Sequence, residues 1–277
     1  DGHTPSATRR QARERGLVLL SNPDMLPYGL LPRHPDWAPF LARLRYVVLD
    51  ELHAYRGVFG THVALILRRL LRLARHYGAS PQVLAASATI ANAREHAEAL
   101  TGLPFEELKA QVARTERELL VLLPKPLDRR GERRRSPRLE AAYLARRLAE
   151  AGLKGLVFAG ARKSAELIAR YAAHPLVRPY RAGYTARERR RLEADLKEGR
   201  VRVLVSTSAL ELGVDIGELD AVVLVGYPGS TAAFWQRAGR AGRGERRALL
   251  VYIPREDPMD EYFLHRPALL LESPPEE

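Results

Sequence analysis

An α/β fold of two parallel-sheet units joined by a basic linker is predicted for this 277-residue chain by three observations. Short apolar runs alternate with stretches of helical periodicity, the pattern of parallel strands covered by helices. A segment dense in Pro, Gly and Arg, LPKPLDRRGERRRSP at 123–137, interrupts that alternation and reads as the linker. A second strand-and-helix series of similar size begins just after it. Hydrophobic residues make up 46% of the chain, enough for two cores.

In the first unit, LVLL (17–20), YVVL (46–49) and VLAA (83–86) are the expected strands. The YVVL run suits a strand buried on both faces of a sheet. Between the last two runs lies THVALILRRLLRLARHYG, whose Val63, Ile66, Leu67, Leu70, Leu73 and Ala74 recur at helical spacing before Gly78 as a stop. The second unit shows a helix near 138–151, a strand at GLVFA (155–159), and a helix from Arg162 to Tyr171. A charged helix in TARERRRLEADLKEG (185–199) precedes strands at 201–206 and 221–225, a helix near 231–242 and a strand at 248–253. The boundaries that follow are a first domain at 1–122, the linker at 123–137, a second domain at 138–256 and a tail at 257–277.

Lys and Arg total 45 against 33 acids, a net charge of +12, which favours a polyanionic partner, nucleic acid first and membrane surface second. Only five of the basic residues are lysines (109, 125, 154, 163, 197), and Met, Asn and Cys are scarce or absent, a thermophile-like bias that a GC-rich genome would also give. Without cysteine there can be no disulfide and no thiolate metal site. Neither a secretory leader nor an apolar run of membrane-spanning length occurs, so a soluble protein of the cytoplasm is expected.

Asp50 and Glu51 follow directly on YVVL, at the strand end where ligands of open α/β sheets bind. Such a pair suits nucleotide hydrolysis, one carboxylate holding Mg²⁺ through its waters and the other orienting or deprotonating the attacking water. It serves equally as a helix N-cap pair beside the helix dipole. QRAGRAGR at 236–243 shifts the balance. Arg240 and Arg243 lie three apart at an expected helix end, and guanidinium groups match phosphate oxygens in fork geometry. Gly239 and Gly242 inside a helix would each cost roughly 1 kcal/mol against Ala, which a merely solvated face would not require.

With those residues in view, the chain resembles the superfamily 2 helicases. DELH (50–53), SAT (87–89) and QRAGRAGR resemble motifs II, III and VI; LVFAGAR (156–162) and STSALELGVDIGELD (206–220) resemble motifs IV and V, and SNPDM (21–25) resembles the Ib element. DELHAYRGVFGTHVALILRRL, SATIAN, ALELGVDIGELDAVVLVGYPGS and EDPMDEYF narrow the match to DNA-repair helicases of the YprA (mitomycin repair factor A) type. The resemblance implies two RecA-like domains, the first incomplete at its N-terminus, and ATP hydrolysis in the cleft between them coupled to movement on single-stranded or partly duplex DNA. It implies that Asp50 binds Mg²⁺, that Glu51 is the catalytic base, and that Gln236, Arg240 and Arg243 face the γ-phosphate. His53, Ser87 and Thr89 would couple the nucleotide and nucleic-acid sites, and Gly213 with Asp215 would lie against the ribose or the phosphate network. Without the resemblance, His53 reads as readily as a core or capping histidine and Asp215 as a turn acid. Contacts to the nucleic-acid backbone would come from Ser21, Asn22, Asp24, Arg162, Ser206, Thr207 and Ser208, though Ser208 serves equally as an N-cap.

One element of the family pattern does not occur in the 277 residues: G-x-x-x-x-G-K-[ST], whose amides and lysine cradle phosphates. Gly155 and Gly160 have its glycine spacing, but Lys163 comes two positions late and Gly155 begins the strand. The chain is therefore expected to lack an N-terminal portion and to be inactive alone. Three readings stand at this point: a helicase motor core, a nucleic-acid-binding remnant without hydrolysis, and half of an ATPase completed by another polypeptide.

Overall fold

The computed structural model describes residues 15–87, 90–108, 117–128, 133–207, 210, 216–242 and 247–272. The chain forms two compact units divided at residues 110/111.

In the first unit β1 (Tyr46–Leu49) pairs in parallel with β2 (Gln82–Ala85), Leu49 lying opposite Ala85. The connection between them contains α1 (Gly57–His76). Its apolar positions at spacings of three and four place Val63, Ile66, Leu67 and Leu70 on one buried face. Val63 and Leu67 pack with Leu49, Leu52 and, from α2 (Ala93–Thr101), Ala97 and Leu100. Ile66 and Leu70 pack instead with Leu30, Leu31 and Leu41. Gly78, at φ +88, ends the helix while Ala79 N–H reaches back to Ala74 C=O at 2.9 Å, satisfying a carbonyl that would otherwise lack a partner.

Two expectations for this unit are corrected. First, β1 is buried on one face only, with Tyr46 and Val48 58% and 65% exposed. Among the described residues β1 has one ladder partner and both helices pack on the side of Val47 and Leu49, so the alternation typical of a half-covered sheet results. Second, LVLL at 17–20 is not a strand, and Leu17, Val18 and Leu20 are exposed. Leu19 and Ser21 approach β1 across a cleft of about 150 Å³ without a ladder. The chain then turns at once, Asn22 Oδ1 accepting Met25 N–H at 3.0 Å, and Pro23 has no N–H to give.

The described residues of the second unit form a six-stranded parallel sheet of order β3–β8–β7–β4–β6–β5. The strands are β3 (Arg117–Val121), β4 (Gly155–Phe158), β5 (Val177–Tyr180), β6 (Val203–Ser206), β7 (Ala221–Val225) and β8 (Ala248–Ile253). The central strands β4, β6 and β7 are buried along their whole length because both faces are covered. On one face α3 (Pro137–Glu150) and α4 (Arg162–Ala172) bury Ala145, Leu148 and Ile168 against Val157, Val205 and Val223. On the other, α5 (Ala186–Lys197), α6 (Thr231–Ala238) and α7 (Pro258–His265) contribute Leu196, Phe234 and Phe263 against Leu156, Leu204 and Tyr252.

The predicted division of the chain is corrected here as well. β3, assigned from sequence to the first domain, runs parallel to β8 with Arg117 opposite Ala248, so the second unit takes it in. Leu119 and Val121 pack on that unit's core, whereas the Arg117–Glu118 start disguises an edge strand as a loop. The segment expected to be a linker folds back on itself: Leu127 N–H meets Arg133 C=O at 2.7 Å and Arg135 N–H meets Lys125 C=O at 2.8 Å. It leads into α3 as a hairpin-like arm of the second unit.

Candidate nucleotide and nucleic-acid sites

In the first unit the candidate acids stand just past β1. Asp50 is exposed, and its Oδ1 accepts the Glu51 N–H at 2.9 Å. Glu51 adopts φ +52, ψ +49, a left-handed conformation rare for a residue with a long side chain. The chain then makes a tight turn, Leu52–Ala54, pinned to the neighbouring strand end by Leu52 N–H to Ala86 C=O at 2.9 Å and Ala86 N–H to Leu49 C=O at 2.8 Å. That turn carries His53 inward to 4% exposure.

His53 lies between two of the predicted residues. Its Nδ1 is 3.2 Å from Ser87 Oγ and its Nε2 is 3.5 Å from Glu51 Oε2. The buried Nε2 makes no hydrogen bond, and whether Nδ1 or the Ser87 hydroxyl donates follows from the ring's tautomer. The next layer is His96, whose Nε2 is 3.2 Å from Leu52 C=O. Tyr55 was not singled out from sequence, yet it belongs to this neighbourhood. Burial, then the negative charges of Asp50 and Glu51, hold its hydroxyl above the ordinary phenol range. The only sequence signal for it was its position four residues past Glu51. Thr89 lies outside the described residues.

In the second unit Gln236 is half-buried on α6, and Arg240 is 5% exposed just past that helix. The expectation of glycines within a helix is corrected: Gly239 is the C-cap of α6 and Gly242, at φ +69, lies beyond it. They end the helix, so they carry no mid-helix cost. Ala241 forms a parallel bridge with Leu219, just ahead of β7, which fixes Arg240 at the amino end of that strand. Gly213, Asp215 and Arg243 lie outside the described residues.

Among the nucleic-acid candidates, Ser21, Asn22 and Asp24 are exposed, although the Asn22 amide oxygen serves its own turn. Arg162 is exposed at the first residue of α4, and Thr207 is half-buried at the tip of β6. Ser206, the last residue of β6, is fully enclosed, and its Oγ has no hydrogen-bond partner. Ser208 lies outside the described residues. Among the described residues no cluster of three or more His, Asp or Glu side chains could hold a metal by itself. No helix of the described residues is long and apolar enough to cross a membrane.

Known proteins match this arrangement. The family model of DEAD/DEAH box helicases matches residues 1–99, and that of the helicase conserved C-terminal domain matches residues 139–245. The chain carries the paired domains of a superfamily 2 helicase. The ATP-dependent helicase YprA of Bacillus subtilis is 40% identical over 285 residues, an alignment that takes in 100% of this chain and 38% of YprA. The ATP-dependent helicase hrq1 of Schizosaccharomyces pombe is 34% identical over 290 residues, 99% of this chain and 27% of that protein. In three dimensions the chain resembles the DUF1998 helicase MrfA bound to DNA, with a TM-score of 0.91 and 40% identity over 100% of this chain and 38% of that one. It also resembles the Mycobacterium smegmatis helicase Lhr bound to single-stranded DNA and AMP-PNP, with a TM-score of 0.76 and 31% identity over 94% and 34% of the two chains. Its two parallel sheets are therefore those of RecA-like helicase domains, and the chain spans well under half the length of these relatives.

Proposed function

We propose that the chain is the motor core of an ATP-dependent DNA helicase or translocase acting in DNA repair. The observation that carries the reading is the contact series Glu51–His53–Ser87, which joins the acids past β1 to the segment after β2. Such a series lets a change at one strand end be felt at the next. In this reading Glu51 accepts the proton of the water that attacks the γ-phosphate, and Tyr55 stays protonated beside it. Asp50, an exposed single carboxylate, fits a hydrated Mg²⁺, an ion that keeps several waters and takes one or two protein carboxylates. When bound, that ion would neutralise charge on the phosphates. From the second unit, Arg240 and Arg243 supply guanidinium groups to the transition state, with Gln236 beside them and Asp215 and Gly213 toward the ribose.

Single-stranded or partly duplex DNA would be gripped through its phosphates by Ser21, Asn22 and Asp24 of one unit and by Arg162, Thr207 and Ser208 of the other. The net charge of +12 and the DNA bound by MrfA and Lhr support this choice of partner. Positioning is nearly all of phosphoryl-transfer catalysis. Residues 1–277, which contain no G-x-x-x-x-G-K-[ST], should therefore turn over ATP only when such a loop is joined to them.

The test is DNA-stimulated ATP hydrolysis by the chain joined to a phosphate-binding loop, with and without Glu51→Gln. Stimulated turnover that Glu51→Gln abolishes, with DNA binding retained, is the expected result. Turnover indifferent to Glu51→Gln, or to DNA, refutes the motor reading.

A further inference from the structure

Arg255 lies two residues past β8, and its guanidinium is laid over the carboxyl end of the second unit's sheet. A Cβ at Gly226, the residue after β7, would fall 2.0 Å from Arg255 Nε and 2.6 Å from its Cζ. One at Gly160, just past β4, would come within 3.2 Å of Nη1. Gly226 also sits at φ +84, so both its backbone and its missing side chain are needed there. Strands β8, β7 and β4 are consecutive in the sheet, and the guanidinium therefore spans three neighbouring strand ends.

Asp260, on α7, holds this arrangement from beneath. It is fully buried; its Oδ1 accepts the Tyr227 N–H at 2.7 Å and the Tyr252 hydroxyl, and its Oδ2 faces Arg255 Nε at 3.4 Å. Burial, and then the bond to Asp260, keep the Tyr252 hydroxyl protonated well above the ordinary range, so it acts as a donor. An arginine whose only task was to neutralise a buried carboxylate would be enclosed with it. Arg255 is instead 43% exposed and meets Asp260 through Nε alone. Its Nη groups carry the N–H fork that matches phosphate oxygens.

Position decides which phosphate. Arg240 is fixed at the amino end of β7 and Arg255 at the carboxyl end of the same sheet. Five strand residues separate those ends by roughly 13 Å. Arg255 is accordingly no third finger on the nucleotide. Exposed Arg162 and Lys163, which open α4 just after Gly160, lie at its own end.

We infer that Arg255, braced by Asp260 across Gly226 and Gly160, binds a backbone phosphate of the DNA strand. This rests on the DNA-binding reading above. The experiment is fluorescence anisotropy with a labelled oligothymidine across a salt series, on residues 1–277 carrying Arg255→Ala, Arg255→Gln or Arg255→Lys, with melting temperatures alongside. Glutamine can still donate to Asp260, so it separates loss of charge from loss of the fold. Both neutral variants should flatten the slope of log K against log salt by about 0.7, the share of one phosphate on a single strand, whereas Arg255→Lys should keep the slope. A steep wild-type slope left unchanged in Arg255→Gln overturns this inference alone. Salt-independent binding by the wild type overturns it together with the DNA reading.

Discussion

Glu51 and Arg240 are the two residues on which the proposed chemistry turns, and each sits in a costly place. A non-glycine residue held at φ +52 costs on the order of 1–3 kcal/mol. The turn that imposes this angle is the one that buries His53 and sets it between Glu51 and Ser87. Arg240 is 5% exposed, and burying a guanidinium is tolerated only where its partners are fixed. A residue serving the transition state should show its effect in turnover and not in DNA grip. With a phosphate loop joined to the chain, Arg240→Ala should cut ATP turnover by about 10³-fold or more, the lower end for an arginine finger. DNA affinity measured without nucleotide should hardly move, because no phosphate contact is lost. Weakened DNA binding with normal turnover would reverse the assignment. A melting curve for the variant separates either result from simple unfolding.

At the scale of single elements, legibility followed burial. β7 and β8 are uninterrupted apolar runs, each paired on both sides in a covered sheet, and their sequence limits are their structural limits. β5, VRPY, was not legible because Arg178 and Pro179 break the run. As the outermost strand it needs only one ladder, and an edge tolerates proline. β3 hid for the same reason, its polar start facing no second neighbour. LVLL at 17–20 was the opposite error: apolar residues alone do not make a strand when the chain turns away at Asn22. In the candidate site, His53 and Ser87 come within 3.2 Å of each other because the turn after β1 carries one side chain inward and the end of β2 presents the other. Arg255 was missed because its meaning lies in Gly226, 29 positions earlier.

The junction of β5 with α5 supplies a test that depends on pH. Tyr180, 1% exposed, donates to Glu193 at 2.7 Å, and burial first, then that bond, push its hydroxyl up to about 12. The folded form thus holds the proton more tightly than the unfolded chain, whose tyrosine titrates near 10. Its contribution to stability is complete below about pH 10 and is lost as pH rises through about 12. Urea denaturation of wild type and Tyr180→Phe between pH 9 and pH 12.5 should show the wild-type advantage shrinking across that window. An advantage independent of pH would mean that Tyr180 ionises alike in both states.

Over the whole molecule the two units are unequal in what protects their strands. The second buries Leu156, Val157, Leu204, Val205, Val222 and Val223 between two helical layers, with every central strand paired on both sides. Among the described residues the first has a two-stranded sheet in which Tyr46, Val48 and Leu84 stay exposed, and its core rests on α1 and α2 packing against one face. Two strands alone are marginal in water, and opening energies track buried apolar contacts and paired backbone. Amide hydrogen exchange should therefore show 46–49 and 82–85 opening before 155–158, 203–206 and 221–225. Residues 111–275, with all six strands of their sheet, should fold by themselves and melt near the upper transition of the whole chain. Residues 15–108 by themselves should melt lower. Equal protection in the two sheets, or an isolated second unit that fails to fold, would show that the units depend on each other more than their separate cores require.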